Sequence, residues 1–207
     1  MTLLVTMLAA LWALWMADGQ RTLRQYLWCI CFATVLNVAV LRYLGNVSHL
    51  ASYTLTAIVL LAAALRVAEE VSKDMPRQVY HLVLAGSTLW SILAGMWMLP
   101  DLMEGWGYLQ LQFGIVLIEA MLLSVAGMVL VASSVYTGHQ WRRSLGMTWI
   151  WLAIGKYIYL QGAAQAPSGH WVMISAWMAT ATISLGCIKT GFDLSLERRI
   201  RMLASNA

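Results

Sequence analysis

The chain has 207 residues, of which 61% are hydrophobic and only 11% are charged, and its mean hydropathy is +0.71. Soluble domains carry about a quarter charged residues, so this chain has too little polar surface to cover a soluble globule. The net charge of +4 would suit nucleic acid, but in so apolar a chain it fits basic loops beside anionic lipid better. Composition therefore predicts an integral membrane protein with the lipid bilayer as partner and no nucleic acid.

Seven apolar stretches follow one another, each roughly long enough to cross a hydrocarbon core of about 30 Å. They are about Thr2–Ala17, Gln25–Leu44, Ser48–Val67, Val79–Leu99, Gln110–Ala132, Leu145–Gln165 and His170–Ile188. The pattern predicts an all-α, seven-transmembrane-helix bundle that forms one domain over residues 1–191. Pro100 is expected to end the fourth helix, and small residues such as Ala64 and Gly86 are expected to permit close helix contacts.

Residues 192–207 differ in character from the seven stretches. Their apolar residues recur at helical spacing with arginines between them: Phe192, Leu196, Ile200, Leu203, Arg198, Arg199 and Arg201. This pattern predicts a short amphipathic helix that lies on the inner leaflet of the membrane. A short solvated tail is the alternative.

The basic residues are distributed very unevenly between the two sides of the predicted bundle. The links after the first, third and fifth stretches, together with the tail, hold eleven of the thirteen Lys and Arg residues. The other side holds Arg42, and Lys156 lies within a stretch. The positive-inside rule therefore predicts an N-terminus outside and a cytoplasmic C-terminus, in what we expect to be a bacterial inner (plasma) membrane. No basic residue precedes the first stretch, which favours a transmembrane helix over the alternative of a cleaved signal peptide.

Glu119 and Lys156 are the acid and the base that lie well inside apolar stretches. A charge at the bilayer centre costs roughly 2.5–3.5 kcal/mol on insertion scales, so each needs a partner. The predicted topology places both near the midplane on adjacent antiparallel helices, where they can meet. Asn37 lies at a similar depth, Gln112 on the Glu119 face and Tyr159 on the Lys156 face. Two interpretations stay open: a structural ion pair, or a site for an ion, a proton or a small polar ligand.

The basic side of the predicted bundle offers a surface for docking a partner or anionic lipid. Its arginines are Arg77, Arg142, Arg143, Arg198, Arg199 and Arg201. We expect the partner to be another membrane subunit or a second copy of the chain.

Cofactors receive little support from the sequence. Two histidines at the outer ends of helices, His49 and His170, and one at an inner end, His81, resemble the bis-histidine pairs of di-haem b-type cytochromes. His139, however, falls in a polar link. A retinal protein of the microbial rhodopsin type needs a lysine in the middle of its seventh helix, where this chain has only Lys189, at the edge. We therefore predict no metal and no cofactor, with haem as an open alternative.

Motifs that carry catalysis, such as glycine-rich phosphate loops, HExxH and GxSxG, do not occur in the sequence. The leading prediction is therefore a non-catalytic membrane module, either an accessory or scaffold subunit or a receptor-like sensor that binds a membrane partner or a lipophilic ligand. A small-solute or proton-coupled transporter built on Glu119 and Lys156 is the alternative, and a b-haem redox protein is the third hypothesis.

Overall fold

In the computed structural model, the part of the chain that is described forms seven α-helices and contains no strand. They are α1 (Thr2–Met16), α2 (Arg21–Tyr43), α3 (Ser48–Ser72), α4 (Arg77–Met103), α5 (Tyr108–Thr137), α6 (Gln140–Gln165) and α7 (Gly169–Ser205). The structure describes residues 2–43, 48–103, 108–165 and 169–205, with side chains for 3–37, 39, 54–97, 113–162 and 174–205. The predicted all-α class is confirmed.

Tight turns join the helices where glycine or proline permits them. Gly19, between α1 and α2, has a φ of 82°, and Gly138, between α5 and α6, has a φ of 71°. Glycine adopts this left-handed geometry without the steric cost that a Cβ would impose. Pro76 precedes α4, where its missing N–H costs no helical bond, and its carbonyl accepts from the Tyr80 amide at 3.0 Å.

All of the helices except α1 are longer than the predicted apolar stretches. The polar segment expected between the fifth and sixth stretches is largely helical, so that only Gly138 and His139 separate α5 from α6. Some of its polar side chains bond to one another inside the bundle, since Arg142 donates to the hydroxyls of Ser133 and Thr137. The fourth helix also continues through Pro100 to Met103, which corrects the prediction that Pro100 ends it.

The predicted tail is helical as far as Ser205, but it is not a separate helix, because α7 runs unbroken into it for 37 residues, about 55 Å. Gly191 does not interrupt the helix but lets Trp12 of α1 pack directly on its backbone. A Cβ at Gly191 would lie 2.6 Å from a ring carbon of Trp12. The apolar face of the tail is nevertheless exposed, as its residues Phe192, Leu196, Ile200 and Leu203 show.

Six of the helices form a closed ring in the order α1, α2, α3, α5, α6, α7, with α7 returning to α1. Helix α4 packs on the outside of this ring, against α5 and, through fewer contacts, α6. The interior is filled by fully buried side chains, among them Leu27, Leu130 and Trp149. The indole N–H of Trp149 donates to the Tyr26 hydroxyl at 2.7 Å and so ties α6 to α2 across the interior.

Helices α5 and α6 approach each other most closely at a pair of glycines. A Cβ on Gly127 would lie 2.7 Å from the Gly146 carbonyl oxygen, and one on Gly146 would lie 2.6 Å from the Gly127 oxygen. Neither position has room for a side chain. Gly86, by contrast, has nothing within 4 Å of its Cβ position and is exposed, so the expected close contact there is wrong.

Within the described residues, two helices are long and apolar enough to cross a membrane, through Arg77–Trp97 and Phe113–Thr137. Only 17% of the most apolar window of the first is buried, whereas a core helix of a soluble protein would be mostly covered. This combination favours association with a membrane. The apolar part of α1, Leu3–Met16, spans only about 21 Å and is shorter than the hydrocarbon core. The seven-span arrangement therefore stays a prediction.

Candidate functional site

Glu119 of α5 and Lys156 of α6 form an ion pair between the two helices. The Lys156 ammonium donates to Glu119 Oε2 at 2.6 Å, and the two side chains are only 16% and 12% exposed, respectively. Of the two residues beside Glu119 in the chain, Ile118 is exposed and Ala120 is buried, so Glu119 lies between the outer and the inner face of α5. The contact that the sequence predicts is thus present, and its role as a ligand or ion path stays a prediction.

The other residues predicted to surround the pair do not all lie beside it in the structure. Tyr159 is buried one turn beyond Lys156, and its ring packs edge-on against Phe113 of α5, with ring centroids 6.4 Å apart. Asn37 donates its side-chain amide to the Ala33 carbonyl of its own helix at 2.8 Å, and the main neighbours of α2 are α1 and α3. The side chain of Gln112 lies outside the described residues.

A cavity of about 160 Å³ adjoins Lys156 between α6 and α7. Tyr159, Ser175 and Thr182 contribute polar side chains to its wall, and the remaining wall is largely apolar. The volume is below the roughly 300–1,000 Å³ of typical sites for drug-sized ligands. By itself this cavity has room only for a small solute.

A larger groove of about 620 Å³ runs along the surface between α6 and α7. Its lining shares Trp151, Gly155, Met178 and Thr182 with the cavity beside Lys156, so the two spaces adjoin. Gly155 leaves this space open, because no atom lies within 4 Å of its Cβ position. The groove and the cavity together form a site that is open on the lateral surface of the bundle, between α6 and α7, and that extends inwards to Lys156.

Three links and the last turns of α7 lie together at one end of the bundle, which we call the basic end. Ion pairs join the α3–α4 link to α6 through Asp74 and Arg142, and the α5–α6 link to α7 through His139 and Glu197. A further cavity is lined by Asp18 of the α1–α2 link and by Arg198 of α7. The charge pattern predicts the same grouping of links on one side of a membrane.

Arg142 is a structural residue of the basic end. It is only 8% exposed, and it donates to Asp74 Oδ2 at 2.5 Å and to the Ser133 hydroxyl at 2.7 Å. Ser133 in turn donates to the Val71 carbonyl at 3.3 Å, so α3, α5 and α6 are held together. Burial removes Arg142 from the predicted docking surface, and its two terminal nitrogens already donate to Ser133 and Asp74. The other predicted docking residues are exposed: Arg77, Arg143, Arg198, Arg199 and Arg201.

Asp193, which is not among the site residues predicted from the sequence, joins α6 to α7 near the basic end. This carboxylate is buried, accepts a hydrogen bond from the Ser144 hydroxyl at 2.5 Å, and forms an ion pair with Lys189. Lys189 and Asp193 are four residues apart on a helix, a spacing that predicts an ion pair. The link to Ser144 is a long-range contact that the spacing does not reveal.

The histidines give the haem hypothesis no new support. His81 is exposed beside Tyr80, and His139 Nδ1 lies 3.0 Å from Glu197 Oε2. The side chains of His49 and His170 fall outside the described residues. Among the described residues, no group of three or more His, Cys, Asp or Glu side chains is placed to hold a metal ion. The haem hypothesis stays a prediction that an absorption spectrum tests.

Compared with family models, curated proteins and solved structures, the chain matches none of them.

Proposed function

We propose that the protein is a non-catalytic, seven-span membrane module that binds a lipophilic ligand in the space between α6 and α7. The proposal places it in a bacterial inner membrane, with the N-terminus outside and the basic end in the cytoplasm. Large apolar side chains that are more than two-thirds exposed support a lipid environment, because water would make them costly. They include Trp15, Leu82, Trp97 and Val135.

The observation that carries the proposal is the groove of about 620 Å³ with the cavity behind it. Its volume falls in the range of small-molecule sites, and its walls combine apolar side chains with a few polar groups, as such sites do. A ligand that enters from the bilayer can reach this space without leaving the hydrocarbon. Gly155 is the key position, because it borders both spaces.

Gently solubilised protein, analysed by native mass spectrometry, tests the proposal. Wild type is expected to retain a bound hydrophobic molecule. Gly155→Phe is expected to lose it, because the ring fills space that is empty around Gly155. The fold should survive, since Phe has a higher helix propensity than Gly.

Gly86→Phe is the control, because Gly86 is also helical and also has no atom within 4 Å of its Cβ position. It adds the same ring far from the groove and is expected to leave retention unchanged. Wild-type protein that carries no hydrophobic molecule, or equal retention in both variants, would contradict the proposed function.

An accessory or scaffold role fits the same module through α4. One face of α4 packs on α5, where the Ser91 and Ser124 hydroxyls lie 2.7 Å apart. The opposite face carries exposed apolar side chains, among them Leu89, Trp90 and Leu93. In the proposed setting this face contacts lipid or a helix of another membrane subunit, and the exposed arginines of the basic end contact a cytoplasmic partner.

A small-solute or proton-coupled transporter is the second candidate, and the cavity of about 160 Å³ beside Lys156 favours it. Intramembrane ionisable residues commonly mark such pathways. Proteoliposomes loaded with a panel of ions and small solutes test this candidate. A flux that Glu119→Gln abolishes would support transport, and folded protein with no flux of any panel member would contradict it.

A further inference from the structure

We propose that the ligand of the α6–α7 groove is an anionic phospholipid of the leaflet at the basic end. This inference rests on the proposed function and adds the chemical class of its ligand. The polarity, the length and the charge of the groove support it.

The groove changes in polarity along its length. Its end near the α5–α6 link is lined by Gln140, Arg143, Ser144 and Lys189. From there towards Ile158 the lining becomes mainly apolar, with side chains such as Met147, Trp151, Ile154 and Leu185. A phospholipid has the same order of groups, a charged headgroup followed by a hydrocarbon chain.

The length of the groove matches one leaflet. From Arg143 to Ile158 the groove follows 15 residues of α6, about 22 Å. From Lys189 back to Met178 it follows 11 residues of α7, about 16 Å. Half of a 30 Å hydrocarbon core is about 15 Å, so an acyl chain and its headgroup span this distance.

The charge at the polar end favours one negative headgroup. Lys189 is paired with the buried Asp193, which also binds Ser144. Arg143 is exposed, and within the described part of the chain it forms no ion pair. Arg143, Lys189 and Asp193 together leave a single positive charge, which complements a headgroup with a net charge of about −1, such as a phosphodiester without a cationic substituent. An arginine also binds phosphate oxygens in a bidentate geometry.

Titration of delipidated full-length protein in detergent, followed by native mass spectrometry, tests the inference. The probes are phosphatidylglycerol and phosphatidylcholine with identical acyl chains. Wild type is expected to bind phosphatidylglycerol about fivefold more tightly, the factor expected for one additional cation–headgroup contact. Arg143→Gln is expected to abolish this preference and to weaken phosphatidylcholine binding less than phosphatidylglycerol binding, because the choline cation already neutralises the phosphate of phosphatidylcholine.

Two further variants separate the possible outcomes. Arg199→Gln removes an exposed arginine that does not line the groove, and it should keep the preference. Gly155→Phe should weaken the binding of both lipids. An equal loss of preference in Arg199→Gln and Arg143→Gln would overturn the inference. The preference would then depend on the total positive charge of the basic end and not on Arg143 in the groove.

The failure of the inference is distinguishable from the failure of the proposed function. Equal affinity for the two lipids, with Gly155→Phe still weakening both, would overturn the anionic preference alone. Binding of both lipids that Gly155→Phe leaves unchanged would contradict the groove as a ligand site, and the inference would fall with it. Self-association that Gly155→Phe abolishes would show that a helix of a second copy occupies the groove and would also overturn the inference.

Discussion

At the scale of single residues, the Glu119–Lys156 pair is expected to stabilise the bundle only while both partners are present. Removing one partner leaves a charge in an apolar environment, which costs about 3–5 kcal/mol in buried pairs. We therefore expect Lys156→Met to lower the free energy of unfolding by about this amount. The double variant Glu119→Leu/Lys156→Met should recover most of the loss. Unfolding of the protein in detergent micelles measures both values.

The double variant also separates a structural role from a functional one. A pair that serves only the fold can be replaced by apolar residues without loss of ligand retention or flux. A stable double variant that loses either property would show that the charges take part in function. A double variant no more stable than Lys156→Met would contradict the pairwise account.

Arg142 and Arg143 are adjacent in sequence but opposite in environment, which makes a controlled test. Arg142→Gln should lower the free energy of unfolding by about 1–3 kcal/mol, because Asp74 and Ser133 lose a charged donor. Arg143→Gln should change it by less than about 0.5 kcal/mol, as is usual for an exposed site. Chemical denaturation compares the two, and equal effects would contradict the assigned burial.

At the scale of helices, the Gly127–Gly146 contact fixes the distance between α5 and α6. Gly146→Leu should force the two backbones apart, with an overpacking cost of about 1–3 kcal/mol or more. Gly86→Leu, the matched control on the open face of α4, should be neutral or slightly stabilising because leucine is the better helix former. Thermal unfolding of both variants checks this prediction, and a Gly146→Leu variant as stable as wild type would contradict it.

The sequence predicts the helices better than it predicts their ends. The apolar stretches locate all seven helices, because hydropathy depends only on the local amino-acid composition of the chain. The polar residues from Ser133 to Arg143 indicate a loop, yet all of them except Gly138 and His139 form helix, and Ser133 and Arg142 have partners on α3 and the α3–α4 link. Such long-range partners leave no local signal. The ion pair of Glu119 and Lys156 is predictable because its cost in hydrocarbon demands a partner at the same depth.

At the scale of the whole molecule, the lateral order of the helices could not be predicted. Hydropathy and charge give each helix a depth and a direction, but neither says which helix is its neighbour. In the structure, α3 packs against α5 and so closes the ring, and α4 lies outside it. The groove between α6 and α7 depends on this arrangement and on Gly155, so the site was not visible from the sequence either. Lys156, which lines the cavity behind the groove, and its partner Glu119 were predictable from the sequence.

The proposed seven-span topology, with the basic end proposed to be cytoplasmic, underlies every functional proposal for the protein. Single cysteines placed at Thr2 and at Ser205, in a background with Cys29, Cys31 and Cys187 replaced by alanine, report the two sides directly. Intact bacterial cells are treated with a membrane-impermeant thiol reagent before and after permeabilisation. We expect the cysteine at position 2 to react in intact cells and the one at position 205 to react only after permeabilisation. Equal reaction of both positions in intact cells, or release of the protein from membranes by alkaline carbonate, would contradict the account.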